Sequence, residues 1–191
     1  MITGLYFGSF NPIHIGHLAI ANFMIEFSDL EQLWFVISPQ NPLKEKKSLL
    51  KDYHRLEMVR LAVEADERFR ASDIEFRLPT PSYTIDTLAY LEEKHPGREF
   101  QLVMGTDGLR TFHKWKHADL IIEKYHRLIY PRPGTEIETA SRLPNATIVD
   151  APLMEISSSF IRKAILEGKD VRHLMPVKAY QYMREMHFYE K

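Results

Sequence analysis

The stretch Gly8-Ser9-Phe10-Asn11-Pro12-Ile13-His14-Ile15-Gly16-His17 decides how the rest of the chain is read. It follows a short apolar run, Ile2 to Phe7, which Gly8 ends. It leads into Ile15 to Phe27, where Leu18, Ala21, Phe23, Ile25 and Phe27 make a mostly apolar segment of helical length. The stretch therefore joins a strand to a helix, and in an open parallel sheet such junctions are where ligands bind. Unpaired N–H groups and the positive dipole end of a helix start favour phosphate, and Gly8 and Gly16 let a flat base or a phosphate approach the main chain. His14 and His17, at i and i+3, share one helical face, so both imidazoles can donate to oxygens of one ligand. That geometry suits a triphosphate. A single His at a helix start is more often a cap or a surface residue, but a pair bracketing a glycine shifts the balance.

Outward from this junction the alternation repeats. Leu33 to Ile37 is an apolar run closed by Ser38-Pro39, and the polar segment Gln40 to Lys51 reads as a loop. Asp52 is placed to cap a helix carrying Leu56, Val59, Arg60 and Val63, and Phe69 to Ser72 reads as a strand. After Pro79, Pro81 and Ser82, the segment Tyr83 to Glu93 has Ile85, Leu88 and Leu91 three apart, and Phe100 to Met104 is a strand ended by Gly105. Asp107 to Lys124 reads as helical in pieces, Leu128 to Tyr130 and Thr147 to Val149 as strands, and Ser158 to Glu167 as a helix closing at Gly168. Pro176 sits in the first turn of a C-terminal helix with Val177, Tyr180, Met183 and Met186 along one side. Short apolar runs alternating with amphipathic stretches predict parallel strands joined by crossover helices. The expectation is one doubly wound α/β domain over residues 1–191, with a C-terminal helical segment.

Composition narrows the function classes. With 45% hydrophobic residues in 191, the chain can bury a real core, which excludes disorder over most of its length. Lys and Arg number 25 against 26 Asp and Glu, so no whole-protein field favours nucleic acid or a membrane surface, and anion recognition has to be local. The absence of cysteine excludes disulfides, a thiol nucleophile and Cys-based zinc sites. The N-terminus lacks the basic and apolar regions of a signal peptide, so a cytoplasmic protein is expected. His113 and His117 lie at i, i+4, but no third ligand is arranged with them and no metal site is expected there.

Ile156-Ser157-Ser158-Ser159-Phe160-Ile161-Arg162 sets three hydroxyls at a helix start and an arginine one turn in, a second place for an anion. Serines before a helix are more often caps than ligands when taken alone. The HxGH element His14 to His17 resembles the signature of the adenylyl-transferring nucleotidyltransferases, relatives of the class I aminoacyl-tRNA synthetases, and Ile156 to Arg162 resembles their ISSTxIR motif. Pro81-Ser82-Tyr83-Thr84-Ile85-Asp86-Thr87-Leu88 is similar to the PSYTxDTL stretch of the nicotinate mononucleotide adenylyltransferases. Met104-Gly105-Thr106-Asp107 followed by Trp115 is similar to their GxD…W segment, and Pro176-Val177 and Tyr180 fit their C-terminal pattern. The resemblance spans essentially the whole chain. It implies a Rossmann-like fold and transfer of the adenylyl group of ATP, with Mg²⁺ accompanying the ATP, to nicotinate mononucleotide.

The resemblance also implies roles. His14, His17 and Arg162 become the catalytic residues. Gly8, Ser9, Phe10, Gly16, Lys44, Gly105 and Asp107 join them on the ATP side, as do Ile156, Ser157 and Ser158. Gly8, Ser9, Ser82, Tyr83, Thr84 and Trp115 are placed around the pyridine nucleotide. The indole of Trp115 can stack on a pyridine ring for about 1 kcal/mol, and N–H groups at the helix start near Thr84 can meet a carboxylate without a fixed positive charge. Lys46, Lys47 and Lys51 are read as a solvated charge run.

Three departures from the family pattern stand out. The usual Gly-Gly-Thr-Phe-Asp is here Phe7-Gly8-Ser9-Phe10-Asn11, which loses a glycine and a carboxylate. Ser9 keeps the hydroxyl and Asn11 can cap through its carbonyl. Lys116 follows Trp115 where relatives carry a second aromatic, which allows a lysine near the substrate carboxylate. Other acceptors (nicotinamide mononucleotide or a phosphopantetheine) stay open at this point, as do a non-catalytic nucleotide sensor and a homo-oligomer.

Overall fold

The computed structural model describes residues 1–39, 49–135 and 144–191. Strands β1 (Ile2–Gly8), β2 (Gln32–Ile37), β3 (Phe69–Ser72), β4 (Glu99–Gly105), β5 (Arg127–Tyr130) and β6 (Ala146–Ile148) form one sheet in the order β3-β2-β1-β4-β5-β6. Every pairing in it is parallel. The helices are α1 (Ile15–Glu26), α2 (Asp52–Val63), α3 (Thr84–Lys94), α4 (Thr106–Phe112), α5 (Ala118–Lys124), α6 (Ser158–Leu166) and α7 (Val177–Glu185).

Strands buried on both faces must be apolar at successive positions, and β2 shows it: Leu33 to Ile37 is buried throughout. Alternate residues then go to opposite layers. Tyr6, Phe35, Val103 and Leu128 face Ile20, Met24, Met58, Val59, Ile161 and Met183, whereas Leu5, Trp34, Val36 and Leu102 face Ile85, Leu88, Leu91 and Ile121. Helices α1, α2, α6 and α7 thus cover one face and α3, α4 and α5 the other, the doubly wound arrangement expected. No described helix is long and apolar enough to cross a membrane.

The chain runs outward from β1 to β3, then returns to β4 on the other side of β1, so the strand order reverses between β1 and β4. Their register runs from Ile2↔Glu99 to Tyr6↔Val103, which ends both strands at one level, at Gly8 and Gly105. The crevice beyond these ends is the topological switch point of the fold.

The predicted elements are present with small shifts at their ends. Two details differ. Lys51, not Asp52, occupies the N-cap of α2, and Asp52 opens the first turn, where its Oδ1 accepts from the Tyr53 N–H at 2.9 Å. A carboxylate there still meets the positive dipole end. Pro176 is the N-cap of α7 rather than part of its first turn, because a residue with ψ of 138° is extended. Most of the predicted loop, residues 40–48 with Lys44, Lys46 and Lys47, lies outside the described residues.

Candidate active site

The loop after β1 is shaped by glycine and by strain. A Cβ on Gly8 would sit 2.7 Å from the Phe10 ring, so only glycine lets that ring fold back under the strand end. Phe10 itself has φ of 44°, a left-handed backbone that an aromatic residue adopts only when its surroundings hold it. Its side chain is buried against Tyr6 and Phe35 and meets the His17 ring edge-on at 5.1 Å. Among the residues expected on the ATP side, Phe10 thus has its ring in the core beneath His17.

His14 is the N-cap of α1, and its N–H donates to His17 Nδ1 at 3.2 Å. A neutral His17 then carries its proton on Nε2. The two imidazoles stack at 3.7 Å, and Tyr6 lies 6.1 Å from His17 on another side. Gly16 allows this, since a Cβ there would come within 3.1 Å of His14 Nδ1.

His14 is nearly fully buried, with no side-chain partner for Nδ1 among the described residues, and burial, reinforced by the positive charge of Arg132, lowers its pKa from 6.5 to about 4. The group is neutral at pH 7. The unfolded chain takes up this proton below about 6.5 and the folded chain resists until about 4, so the stability His14 contributes is complete above that window and is lost as pH falls through it. Urea unfolding at about pH 7.5 and about pH 4.5 should show wild type losing about 2–3 kcal/mol more than His14→Gln, whose side chain does not titrate. Equal losses would contradict the burial of a neutral imidazole.

The Ile156 to Arg162 element meets the loop after β1. Ser158 Oγ donates to the Pro12 carbonyl at 2.8 Å, and Arg162 Nη1 donates to the Asn11 carbonyl at 2.7 Å. Ser157 is the N-cap of α6 and its Oγ accepts from the Phe160 N–H at 3.2 Å, the ordinary capping role. Ile156 packs half-buried on the core. Asn11 Oδ1 accepts from the Leu50 N–H at 3.2 Å and from the Tyr189 hydroxyl at 2.7 Å, both distant in sequence.

Across the crevice, a Cβ on Gly105 would fall 2.4 Å from Asp107 Oδ1 and 2.8 Å from Arg132 Cγ, so glycine is what lets these two side chains cross the strand end. Asp107 Oδ2 lies 3.8 Å from Arg132 Nε, and Thr106 Oγ1 accepts from the Arg132 N–H at 2.9 Å. The Tyr6 and Tyr130 hydroxyls share a hydrogen bond of 2.9 Å below, and burial raises both pKa values, so both phenols stay neutral.

Of the predicted pyridine-side residues, Gly8 and Ser9 lie at the end of β1, and Ser82, Tyr83, Thr84 and Trp115 lie at the start of α3 and in the turn after α4. Tyr83 is the N-cap of α3 and Thr84 its first residue. Ser82 is buried, and its Oγ donates to Glu75 Oε2 at 3.0 Å, which makes it a brace for this segment. Thr87 Oγ1 donates to the other Glu75 oxygen at 3.0 Å, and burial raises the pKa of Glu75 despite these bonds. Trp115 tilts over Phe112 at 4.9 Å. Lys116 Nζ pairs with Asp86 at 2.8 Å and sits 4.9 Å from the centre of the Tyr83 ring.

Sequence reasoning missed Arg55, Glu75, Arg132 and Tyr189. Arg55 is fully buried on α2 and donates to the carbonyls of Ser9 at 2.6 Å, Ser38 at 2.9 Å, Leu50 at 2.9 Å and Pro39 at 3.2 Å. It ties the loops after β1 and β2 together. A signal existed, since Arg55 precedes the buried Met58 and Val59 by three and four residues and so shares their face.

The fold and this crevice define a nucleotidyltransferase-like α/β protein. A family model described as cytidylyltransferase-like matches residues 5–164, and the chain belongs to that family. Two relatives, from Flavobacterium johnsoniae and Christiangramia forsetii, are each 50% identical to it. Both are named "Probable nicotinate-nucleotide adenylyltransferase", and the matches cover 100% of both chains in the first case and 98% of both in the second. Within the cytidylyltransferase-like proteins, the chain is thus a member of the nicotinate-nucleotide adenylyltransferase family. The fold is shared with a Plasmodium falciparum nicotinic acid mononucleotide adenylyltransferase solved with NaAD, at 20% identity and a TM-score of 0.83 over 99% of this chain and 97% of that one.

Proposed function

We propose that residues 1–191 work as one domain that transfers the adenylyl group of ATP to the phosphate of nicotinate mononucleotide, releasing pyrophosphate and deamido-NAD. The observation that carries this reading is the meeting of two phosphate elements from opposite ends of the chain, with Ser158 and Arg162 bound to the Pro12 and Asn11 carbonyls just ahead of His14 and His17. Membership in the family supplies the acceptor.

The attacking group is a phosphate oxygen that is already ionised, so no general base and no covalent intermediate is required. An acceptor oxygen forms a bond to the α-phosphorus as the bond to the β-bridging oxygen breaks, and pyrophosphate leaves with that electron pair. Catalysis then reduces to alignment and to neutralising charge on the α-phosphate and the departing pyrophosphate. His17 presents an Nε2 proton from a ring already held on its other edges, and His14 shapes that ring while staying neutral. Arg162 and the Ser157 hydroxyl take the outer phosphates, with Ser158 contributing its N–H because its hydroxyl proton goes to the Pro12 carbonyl, and Gly8, Ser9 and Gly105 line the approach. Mg²⁺ enters with the substrate, as Mg-ATP. Thr84 at the start of α3 and Trp115 face the pyridine nucleotide, with Lys116 in reach of the same wall.

Pyrophosphate release from Mg-ATP, measured with nicotinate mononucleotide, nicotinamide mononucleotide and phosphopantetheine at equal concentration, tests the reading. The nicotinate form should be preferred in kcat/KM by about tenfold or more. Preference for the amide would keep the chemistry and remove the carboxylate assignment. Silence with every acceptor despite ATP binding would favour a nucleotide sensor.

A further inference from the structure

After α7 the chain turns back on itself. His187 and Tyr189 both have left-handed backbones, with φ of 53° and 65°. Residues with side chains persist there only where surrounding contacts over-determine them. The contacts are specific: the Phe188 ring lies 4.6 Å from His54 and 5.8 Å from Tyr182, and its N–H donates to the Met183 carbonyl at 3.1 Å. This fold-back delivers the Tyr189 hydroxyl to Asn11 Oδ1 at 2.7 Å, across 178 positions of sequence. The same oxygen accepts from Leu50, while the carbonyl of Asn11 accepts from Arg162 and the neighbouring Pro12 carbonyl from Ser158. The phenol also lies within the electrostatic reach of both Arg162 and Arg55.

We propose that Tyr189 is a positioning residue for the triphosphate side of the site, acting through Asn11. Its hydroxyl fixes the Asn11 side chain, and the peptide so held sets where Arg162 points its guanidinium. A neutral asparagine needs such a donor because it lacks the charge with which a carboxylate would hold its neighbours more strongly. The proposal rests on the reading of Arg162 as a phosphate ligand.

Tyr189→Phe removes the hydroxyl and keeps the ring. Steady-state kinetics should show kcat/KM for ATP falling about 5- to 10-fold while KM for nicotinate mononucleotide stays within about twofold. Tyr180→Phe is the comparison: its hydroxyl, on α7, donates to the exposed Asp170 at 3.2 Å, and its loss should leave both substrates within about twofold. Unchanged kinetics in Tyr189→Phe, equal losses for both substrates, or the same ATP defect in Tyr180→Phe would each overturn the proposal. If wild type forms no dinucleotide, the functional reading fails by itself, and calorimetric ATP affinity then decides the proposal, with a loss of about 5-fold or more expected in Tyr189→Phe and no loss overturning it.

Discussion

His17→Ala should lower kcat about 100- to 1,000-fold and leave KM for nicotinate mononucleotide within about threefold. The size follows from preorganisation. The His17 ring is stacked on His14, edged by Phe10 and Tyr6, and held at Nδ1 by the His14 N–H, so its Nε2 proton costs no reorientation when charge builds on the α-phosphate. A donor that strengthens only as that charge develops affects turnover far more than ground-state binding. The ring also accepts at the start of α1, and that part of its role can be separated. His17→Asn can place an oxygen near the position of Nδ1, so it should recover helix stability, worth about 1 kcal/mol, without recovering turnover. Single-turnover rates with thermal melts on the same samples make the comparison. A His17→Ala enzyme within about threefold of wild-type kcat would remove His17 from the mechanism.

The largest expected effect on stability is at Arg55. Arg55→Met keeps an unbranched apolar stem but leaves the carbonyls of Ser9, Ser38, Pro39 and Leu50 without their shared donor. Buried acceptors stripped of a charged partner cost more than the bonds contributed net, and the loss should be about 3 kcal/mol in guanidinium unfolding. Arg55→Lys should be intermediate, because an ammonium cannot reach carbonyls on several sides as a planar guanidinium does. ATP turnover should fall along with stability in both, since the Ser9 carbonyl belongs to the loop that leads into His14 and α1. A loss below about 1 kcal/mol in Arg55→Met would mean that water replaces the guanidinium in this position.

Much of the architecture is legible without coordinates because it follows from local rules. The apolar runs at β1, β2 and β4 end in Gly8, Ser38-Pro39 and Gly105. The helices are legible from three- and four-residue spacing, as at Ile85, Leu88 and Leu91, which all reach the core. Motif resemblance identified the residues that bracket the crevice. It did not distinguish side chains that face it from those that brace it: Phe10 and Ser82 fit the motif, yet the first supports His17 and the second holds Glu75.

By itself, then, the sequence determined the alternation of strands and helices, the switch-point loop with its paired histidines, and the serine–arginine element near the C-terminus. These depend on residue type and short-range spacing, which a linear string records. Only the tertiary structure decided that Arg55 and Glu75 are buried, that the His14 imidazole is held neutral, and that Tyr189 reaches Asn11. Burial of a charge and the partner of a hydrogen bond depend on which distant segments pack together, and the free energy of placing a polar group inside is set by those neighbours rather than by the residue that carries it.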